Sequence, residues 1–236
     1  MSEPLPSVLF LDLDDTIISF DAAGRSSWTD VCAEISAETE LFTAETLHSA
    51  IDRVASHYWS DPERHRVGRL SLEKTRRMLV RQSLHELGIE DDALAAEITR
   101  RFGIIRDSRI HLFEDSIEAL EKLSVRTRLA LVTNGESSVQ REKISRFGIG
   151  RFFGKVFVEE EVGVGKPDVR AFENALREMN VAARDAWMVG DNLQWDVAAP
   201  MKLGMKGIWF DFRGRGLPEN SPVIPDRVIR SLTELL

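Results

Sequence analysis

The chain has 236 residues, of which 43% are hydrophobic and 30% are charged, as in a globular protein of one or two domains. Its formal net charge of −8 argues against nucleic acid as a partner, because phosphate backbones bind clustered positive charge. Cys32 is the only cysteine, which excludes an intramolecular disulfide and a thiolate-rich zinc site.

The N-terminal residues predict neither secretion nor membrane insertion. They lack the basic flank and the long apolar run of a signal peptide, and no apolar stretch of the chain reaches the ~18 residues that cross a bilayer. We therefore expect a cytoplasmic protein without a membrane partner. The sequence leaves open whether it is a monomer or a homodimer.

The first predicted element is a short strand, Ser7 to Leu11, where an apolar run ends directly before Asp12. Such a run is typical of a buried strand in a parallel sheet. From residue 18 to residue 108 the apolar residues recur instead at helical spacing, with charged residues between them. We predict an all-helical domain over residues 18–108, joined to the rest by linkers near residues 17–24 and 107–114.

After residue 113, short apolar strands alternate with amphipathic helices. The predicted strands are Arg128 to Val132, Lys155 to Val158, Ala186 to Val189, Gly207 to Phe210 and Arg227 to Val228. The predicted helices are Ser116 to Leu123, Ser137 to Phe147, Val169 to Met179 and Trp195 to Leu203. This alternation predicts a parallel sheet covered by helices, since right-handed crossovers put a helix between neighbouring strands. Residues 1–17 and 109–236 would thus form a doubly wound, Rossmann-like α/β core into which the helical domain is inserted.

Polar side chains follow four of the predicted strands. In chain order these are Asp12, Asp14, Asp15 and Thr16, then Thr133 and Asn134, then Lys166, then Asp191 and Asp196. Open α/β sheets bind ligands outside the carboxyl ends of their strands, so these groups are expected at one edge. Several carboxylates without a cysteine or a histidine pair suit a hard cation such as Mg²⁺. An aspartate beside such a cation can accept a phosphoryl group as an aspartyl phosphate.

These four segments, in this order, resemble the four motifs of the haloacid dehalogenase-like superfamily, in its phosphatase branch with a helical cap of the first type. The resemblance covers the whole chain, and Asp12, Asp14 and Thr16 match the family's Asp-x-Asp-x-Thr pattern. It implies that Asp12 is the nucleophile and that Asp14 protonates the leaving group and then activates water. It also implies that Asp12, the backbone carbonyl of Asp14 and Asp191 bind Mg²⁺.

The same resemblance gives roles to the remaining polar residues. Thr133 and the backbone of Asn134 would bind the transferring phosphoryl group, and Lys166 would offset charge between nucleophile and phosphate. Thr16 and Asp196 would lie next to the ligands, with Asp196 in the outer layer or paired with Lys166.

The expected function is therefore that of a Mg²⁺-dependent phosphoric monoester hydrolase. Its substrate would be a small phosphorylated metabolite: a sugar phosphate, an acylneuraminate phosphate or a nucleoside monophosphate. The helical domain would be a cap that closes over the site and selects the substrate. The arginine-rich run from Arg64 to Arg81 could bind an anionic part of that substrate, although such runs more often face water.

Four other functions remain open on this sequence. A sugar phosphomutase would share every core residue. A haloacid dehalogenase has no use for the acid at Asp14. A phosphonatase needs a cap lysine, and the predicted cap contains only Lys74. A non-catalytic binding module could share the fold, although here all four chemical positions are filled.

Overall fold

A six-stranded parallel sheet forms the centre of the α/β unit in the computed structural model, which describes residues 4–236. The strands of the chain are β1 (Val8–Leu11), β2 (Ile18–Ser19), β3 (His111–Leu112), β4 (Arg128–Thr133), β5 (Lys155–Val158), β6 (Ala186–Gly190), β7 (Lys206–Phe210) and β8 (Arg227–Ile229). In the large sheet the order is β5-β4-β1-β6-β7-β8, and every neighbouring pair is parallel. The predicted doubly wound α/β class is confirmed.

The helices divide between two compact units of the chain. One unit runs up to Ser19 and from His111 to Leu236, and the other covers Phe20–Ile110. The helices are α1 (Asp21–Ala37), α2 (Ala44–Trp59), α3 (Pro62–Gly68), α4 (Leu72–Glu86), α5 (Asp92–Arg109), α6 (Ser116–Ser124), α7 (Ser137–Arg146), α8 (Glu159–Val162), α9 (Val169–Glu178) and α10 (Ala199–Met201). The helical unit thus contains α1 to α5, and its action as a cap stays a prediction.

The central strands are apolar on both faces because helices cover the parallel sheet on both sides. All four residues of β1 are fully buried. On one face, Val8 and Phe10 belong to a core cluster with Phe172 of α9 and Met188 of β6. This packing fixes the strand whose end carries Asp12.

The helical unit has an apolar core of its own. Val31 and Ile35 of α1 are buried in one cluster with Val80 of α4 and Ile98 of α5. The start of α5 is fixed by Asp91, whose side chain accepts hydrogen bonds from the first backbone N–H groups of that helix.

The predicted linkers are more ordered than the sequence suggests. Residues 17–24 contain β2 and the first turn of α1, while residues 107–114 contain the end of α5 and β3. β2 and β3 pair antiparallel, and the N–H of Phe113 donates to the carbonyl of Ile17. The two crossings between core and helical segment are therefore joined into a short ribbon on the α/β unit.

The predicted helix from Trp195 to Leu203 is the element that differs most. The structure has a π-helical turn at Leu193–Ala198, followed by the short helix α10. The side chain of Asn192 begins this turn by accepting hydrogen bonds from the N–H groups of Gln194 and Trp195.

No helix in the described part of the chain combines the length and the apolar character needed to span a membrane. Residues 1–3, which the predicted core domain includes and which contributed to the signal-peptide prediction, lie outside the described residues.

Candidate active site

The carboxyl ends of β1, β4 and β6 lie side by side, because β1 is hydrogen-bonded to β4 on one side and to β6 on the other. Asp12 directly follows β1, and its N–H donates to the carbonyl of Val189 at 3.0 Å. Thr133 ends β4, and Asp191 directly follows β6. Three of the four predicted segments therefore meet at one edge of the sheet.

A buried lysine joins the first segment to the last. Lys166 Nζ lies 2.8 Å from Asp12 Oδ1 and 2.6 Å from Asp196 Oδ1. Lys166 and Asp196 are each only 1% exposed. Although burial opposes it, the charges of Asp12 and Asp196 raise the pKa of Lys166 above its ordinary value. The ammonium therefore stays charged and holds two carboxylates at once.

Asp191 adds a third carboxylate to this group. One oxygen from each of Asp12, Asp191 and Asp196 lies within 4.8 Å of the other two. Burial raises the pKa of Asp12 to about 7, in spite of the nearby Lys166. Burial, together with the charges of Asp196 and Asp12, raises the pKa of Asp191 to about 9. Three clustered acids with one ammonium leave an excess of negative charge that is costly to bury.

The cluster fits a divalent, oxygen-preferring cation, because a cation would offset this excess charge. Asp12 and Asp191 have carboxylate oxygens available for that purpose. Asp196 is less free: its Oδ1 accepts from Lys166, and its Oδ2 accepts from the N–H of Asn192 at 3.0 Å. The residues that fit a metal best are thus Asp12 and Asp191, with Asp196 beside them.

The π-helical turn brings Asp196 inward against β6. A Cβ atom at Gly190 would lie 2.4 Å from Asp196 Cγ, so only glycine fits at that position. The close approach allows the Asp196 carboxylate to reach Lys166. The sequence predicts an ordinary helix here because a π turn has no simple sequence signal.

A second buried lysine holds the other aspartate of the first segment, and the sequence analysis missed it. Lys143 Nζ donates to Asp14 Oδ1 at 2.8 Å and to Oδ2 at 2.9 Å. Gln140 Nε2 donates to Asp14 Oδ2 at 3.1 Å and also to the hydroxyl of Thr133. Lys143 donates to Gln140 Oε1 as well, which closes the network.

A signal for this network exists in α7. Gln140, Lys143 and Ile144 are the buried residues of that helix. Their spacing is that of the face that packs inward, where apolar side chains are expected. Two long polar residues on such a face indicate a buried polar partner, which is Asp14.

The remaining predicted residues also lie at this edge. The Asn134 side chain brackets the backbone of Lys166, since its Nδ2 donates to the Lys166 carbonyl and its Oδ1 accepts from the Lys166 N–H. Thr16 is fully buried, and its Oγ1 has no hydrogen-bond partner within residues 4–236. Asp15 is buried with a φ of 56°. The structure thus gathers most of the predicted residues into two clusters, one around Lys166 and one around Lys143, and no side-chain hydrogen bond within residues 4–236 joins Thr16 to either.

Comparison with known proteins finds a family and several relatives that match most of this chain. The family description "haloacid dehalogenase-like hydrolase" matches residues 6–204. A phosphoserine phosphatase of Thermus thermophilus is 33% identical over an alignment that covers 97% of both chains. An N-acylneuraminate-9-phosphatase of Rattus norvegicus is 24% identical, with 96% of this chain and 91% of that protein covered.

Among solved structures, the magnesium-bound crystal structure of the HAD-hydrolase YfnB from Bacillus subtilis has the same fold. The TM-score is 0.75 with 22% sequence identity, and the match covers 99% of this chain and 97% of that one.

Proposed function

We propose, from the premise that this chain belongs to the haloacid dehalogenase-like hydrolase family, that it cleaves phosphate esters with Mg²⁺ and an aspartyl-phosphate intermediate on Asp12. The family match and the phosphatase relatives confirm the predicted family, and the chain is a phosphoric monoester hydrolase. The mechanism and the substrate are the parts that we propose.

The observation that carries the proposal is the cluster around Lys166. Asp12, Asp191 and Asp196 lie within 4.8 Å of one another and share one buried ammonium. Catalysis of phosphoryl transfer depends mainly on positioning the phosphate and neutralising its charge. A buried carboxylate beside an ammonium and a cation-binding position meets that requirement. The magnesium in the YfnB structure supports the choice of Mg²⁺ as the cation.

In the first step Asp12 would attack phosphorus while the ester oxygen leaves. When bound, Mg²⁺ would supply positive charge to the phosphate oxygens and to the Asp12 carboxylate. Lys166 would hold Asp12 through its 2.8 Å hydrogen bond and oppose the negative charge that approaches it. The Thr133 hydroxyl, with the Asn134 backbone, would bind the transferring group, and Asp196 would keep Lys166 in place.

Asp14 would deliver a proton to the leaving oxygen and then take one from the water that cleaves the aspartyl phosphate. Lys143 and Gln140 would orient its carboxylate for both tasks, since together they bind both of its oxygens. Because Gln140 also donates to Thr133, the proton-transfer group and the phosphoryl-binding hydroxyl would be held by one network.

The substrate would be a small phosphorylated metabolite. The relatives named for phosphoserine and for N-acylneuraminate 9-phosphate support this class. A sugar phosphate or a nucleoside monophosphate belongs to the same class.

The main rival is a sugar phosphomutase, which needs the same groups but returns the phosphoryl group to the substrate. The full-length relatives with phosphatase names favour hydrolysis over isomerisation. A dehalogenase would not need the hydrogen-bond network that holds Asp14.

The test is hydrolysis of p-nitrophenyl phosphate and of a panel of phosphorylated metabolites by purified protein, with Mg²⁺ and with a chelator. Asp12→Asn is the inactive control, and Asp52→Asn, at an exposed position of α2, is the matched control. We expect phosphate release that requires Mg²⁺ and is lost only in Asp12→Asn. Isomer formation without phosphate release would favour the mutase, and equal rates in Asp12→Asn would contradict the proposed nucleophile.

A further inference from the structure

Glu159 is a buried acidic residue of the α/β unit that the proposed mechanism does not use. It directly follows β5 and is the first residue of the short helix α8. The residue is only 5% exposed. A carboxylate in such a position is costly unless its oxygens accept hydrogen bonds, so the contacts of Glu159 indicate what it does there.

The Glu159 carboxylate holds the turn that follows β4. The parallel register pairs Thr133 with Val158, so the residues after these two strands lie side by side. Glu159 Oε2 accepts a hydrogen bond from the N–H of Gly135 at 2.9 Å. The carbonyl of Gly135 accepts from the N–H of Glu160 at 3.3 Å. The start of α8 therefore binds both backbone groups of Gly135.

The same side chain also lies against the loop that carries Lys166. A Cβ atom at Gly165 would lie 2.5 Å from Glu159 Oε1 and 2.7 Å from Glu159 Cγ, so only glycine leaves room for this side chain. The Asn134 side chain binds the Lys166 backbone at its carbonyl, at 2.7 Å, and at its N–H, at 2.8 Å. Glu159 and Asn134 thus connect the turn after β4 to the Lys166 loop.

These two loops carry three groups that would surround the transferring phosphoryl group. They are the Thr133 hydroxyl, the Asn134 backbone and the Lys166 ammonium. The rate of such a reaction depends on their spacing, since a misplacement of about 1 Å can cost about a hundredfold. A residue that fixes both loops could therefore control the rate without contact to the substrate.

We propose that Glu159 is a positioning residue for phosphoryl transfer. It acts through the N–H of Gly135 and through the space beside Gly165, and it keeps the two loops at the spacing that the transferring group requires. This inference rests on the proposed function, which assigns Thr133, Asn134 and Lys166 to the phosphoryl group.

The first arm of the test measures kcat and KM for p-nitrophenyl phosphate with Mg²⁺. Glu159→Ala removes the acceptor for the Gly135 N–H, whereas Glu159→Gln keeps a side-chain oxygen that can accept from it. The matched control is Glu160→Ala, the same change at the neighbouring glutamate. Glu160 is exposed and accepts from the N–H of Ser137, where water can take its place.

We expect kcat to fall by about tenfold in Glu159→Ala, and by less than about threefold in Glu159→Gln and in Glu160→Ala. The rates are measured well below the unfolding midpoint of each variant, so that a loss of stability alone leaves kcat unchanged. A kcat in Glu159→Ala within about twofold of the wild type would overturn the proposal. Equal losses in Glu159→Ala and Glu159→Gln would also overturn it.

The second arm tests the contact with Gly165. The methyl group of Gly165→Ala would displace the Glu159 carboxylate, so this change alone should lower kcat by about tenfold. In Glu159→Ala the space is free, and adding Gly165→Ala should lower kcat by less than about twofold more. Losses that multiply in the double variant would overturn the proposal, because Gly165 would then act independently of Glu159.

The third arm examines the phosphoryl-binding groups without turnover. Orthovanadate can adopt the five-coordinate geometry of phosphoryl transfer, and with Mg²⁺ it should raise the thermal midpoint of the wild type. The rise should be smaller in Glu159→Ala and unchanged in Glu160→Ala. Equal rises in the wild type and in Glu159→Ala would overturn the proposal.

The arms distinguish this proposal from the proposed function. A vanadate effect that depends on Glu159, without ester hydrolysis by the wild type, would refute the proposed function and leave the positioning role standing. Hydrolysis by the wild type with an undiminished kcat in Glu159→Ala would refute the positioning role alone.

Discussion

Two buried lysines of the α/β unit hold the two aspartates of the first motif, and their surroundings differ in charge. Lys143 donates to both carboxylate oxygens of Asp14 and to the neutral Gln140. Lys166 pairs with Asp12 and Asp196, each of which has a carboxylate oxygen within 4.8 Å of one from Asp191. The Asp14–Lys143 pair is balanced in charge, whereas the cluster around Lys166 has more negative than positive charge.

The difference indicates which cluster needs a further cation. A balanced pair can stay buried without a metal, and its hydrogen bonds then serve to orient one carboxylate. Burial, with a further contribution from the neighbouring carboxylates, raises the pKa of both Asp12 and Asp191 by more than Lys166 lowers it. We therefore expect metal binding, pH sensitivity and the larger mutational effects to concentrate at the Lys166 cluster.

The largest expected effect is the loss of hydrolysis in Asp12→Asn. The amide cannot form an aspartyl phosphate, so kcat/KM should fall by at least about a thousandfold. Initial rates of p-nitrophenyl phosphate hydrolysis with Mg²⁺ measure this loss, and Asp52→Asn is the matched control. Retention of a tenth or more of the wild-type rate would remove Asp12 from the mechanism.

The next effect is the destabilisation of Lys166→Met. Removing this ammonium leaves Asp12 and Asp196 buried without their partner, which should lower the free energy of unfolding by about 3–5 kcal/mol. Urea unfolding of the metal-free protein measures it. Lys155→Met breaks an exposed pair with Glu178 and should unfold at the wild-type midpoint. An equal loss of unfolding free energy in the two variants would show that the buried carboxylates of Asp12 and Asp196 do not depend on Lys166 for stability.

A third prediction concerns pH and Mg²⁺. Because the folded pKa values of Asp12 and Asp191, about 7 and about 9, exceed the ordinary 3.8, the folded state binds more protons than the unfolded state between these limits. The contribution of these groups to stability is therefore lost as pH rises from about 4 towards 9. A Mg²⁺ concentration of a hundred times the Kd at pH 8 should add about 2.7 kcal/mol at that pH, and the same concentration should add less at pH 6, where protons compete for the carboxylates.

Thermal unfolding with Mg²⁺ and with a chelator measures this dependence, and Asp191→Asn is the control that should reduce both the pH slope and the Mg²⁺ gain. Stabilisation by Mg²⁺ that is equal in the wild type and in Asp191→Asn would put the metal elsewhere.

The smallest effect is expected at the balanced cluster. Lys143→Met leaves Asp14 partly held by Gln140, so kcat for an alkyl phosphate should fall by about tenfold. The rate for p-nitrophenyl phosphate should fall much less, because its leaving group needs little protonation. Glycerol phosphate and p-nitrophenyl phosphate are the two substrates to compare. Equal losses on both would indicate a structural role for Lys143 without an effect on proton transfer.

The sequence predicts the sheet and the positions of its polar ends because both follow from local patterns. β1 and β6 are continuous apolar runs, and Asp12 and Asp191 come directly after them, so parallel pairing brings them to one edge. The predicted roles of these residues rest on the family resemblance and stay predictions.

The features that the sequence analysis missed depend on tertiary contacts. β2 and β3 have two residues each, too few for a periodic pattern, and they pair across the whole helical segment. Lys143 becomes recognisable only when the inward face of α7 is known. Arg106 likewise resembles a solvated charge in the sequence, and only the structure shows that it is one of the buried residues of α5.

The most direct test of the central claim is to detect the phosphoryl group on Asp12. Asp14→Asn, which lacks the proposed base for the second step, is mixed rapidly with ³²P-labelled p-nitrophenyl phosphate and Mg²⁺, quenched in acid and digested. We predict a burst of about one nitrophenolate per chain and label on the peptide that contains Asp12. Nitrophenolate release without a burst, or label on any other peptide, would contradict the account.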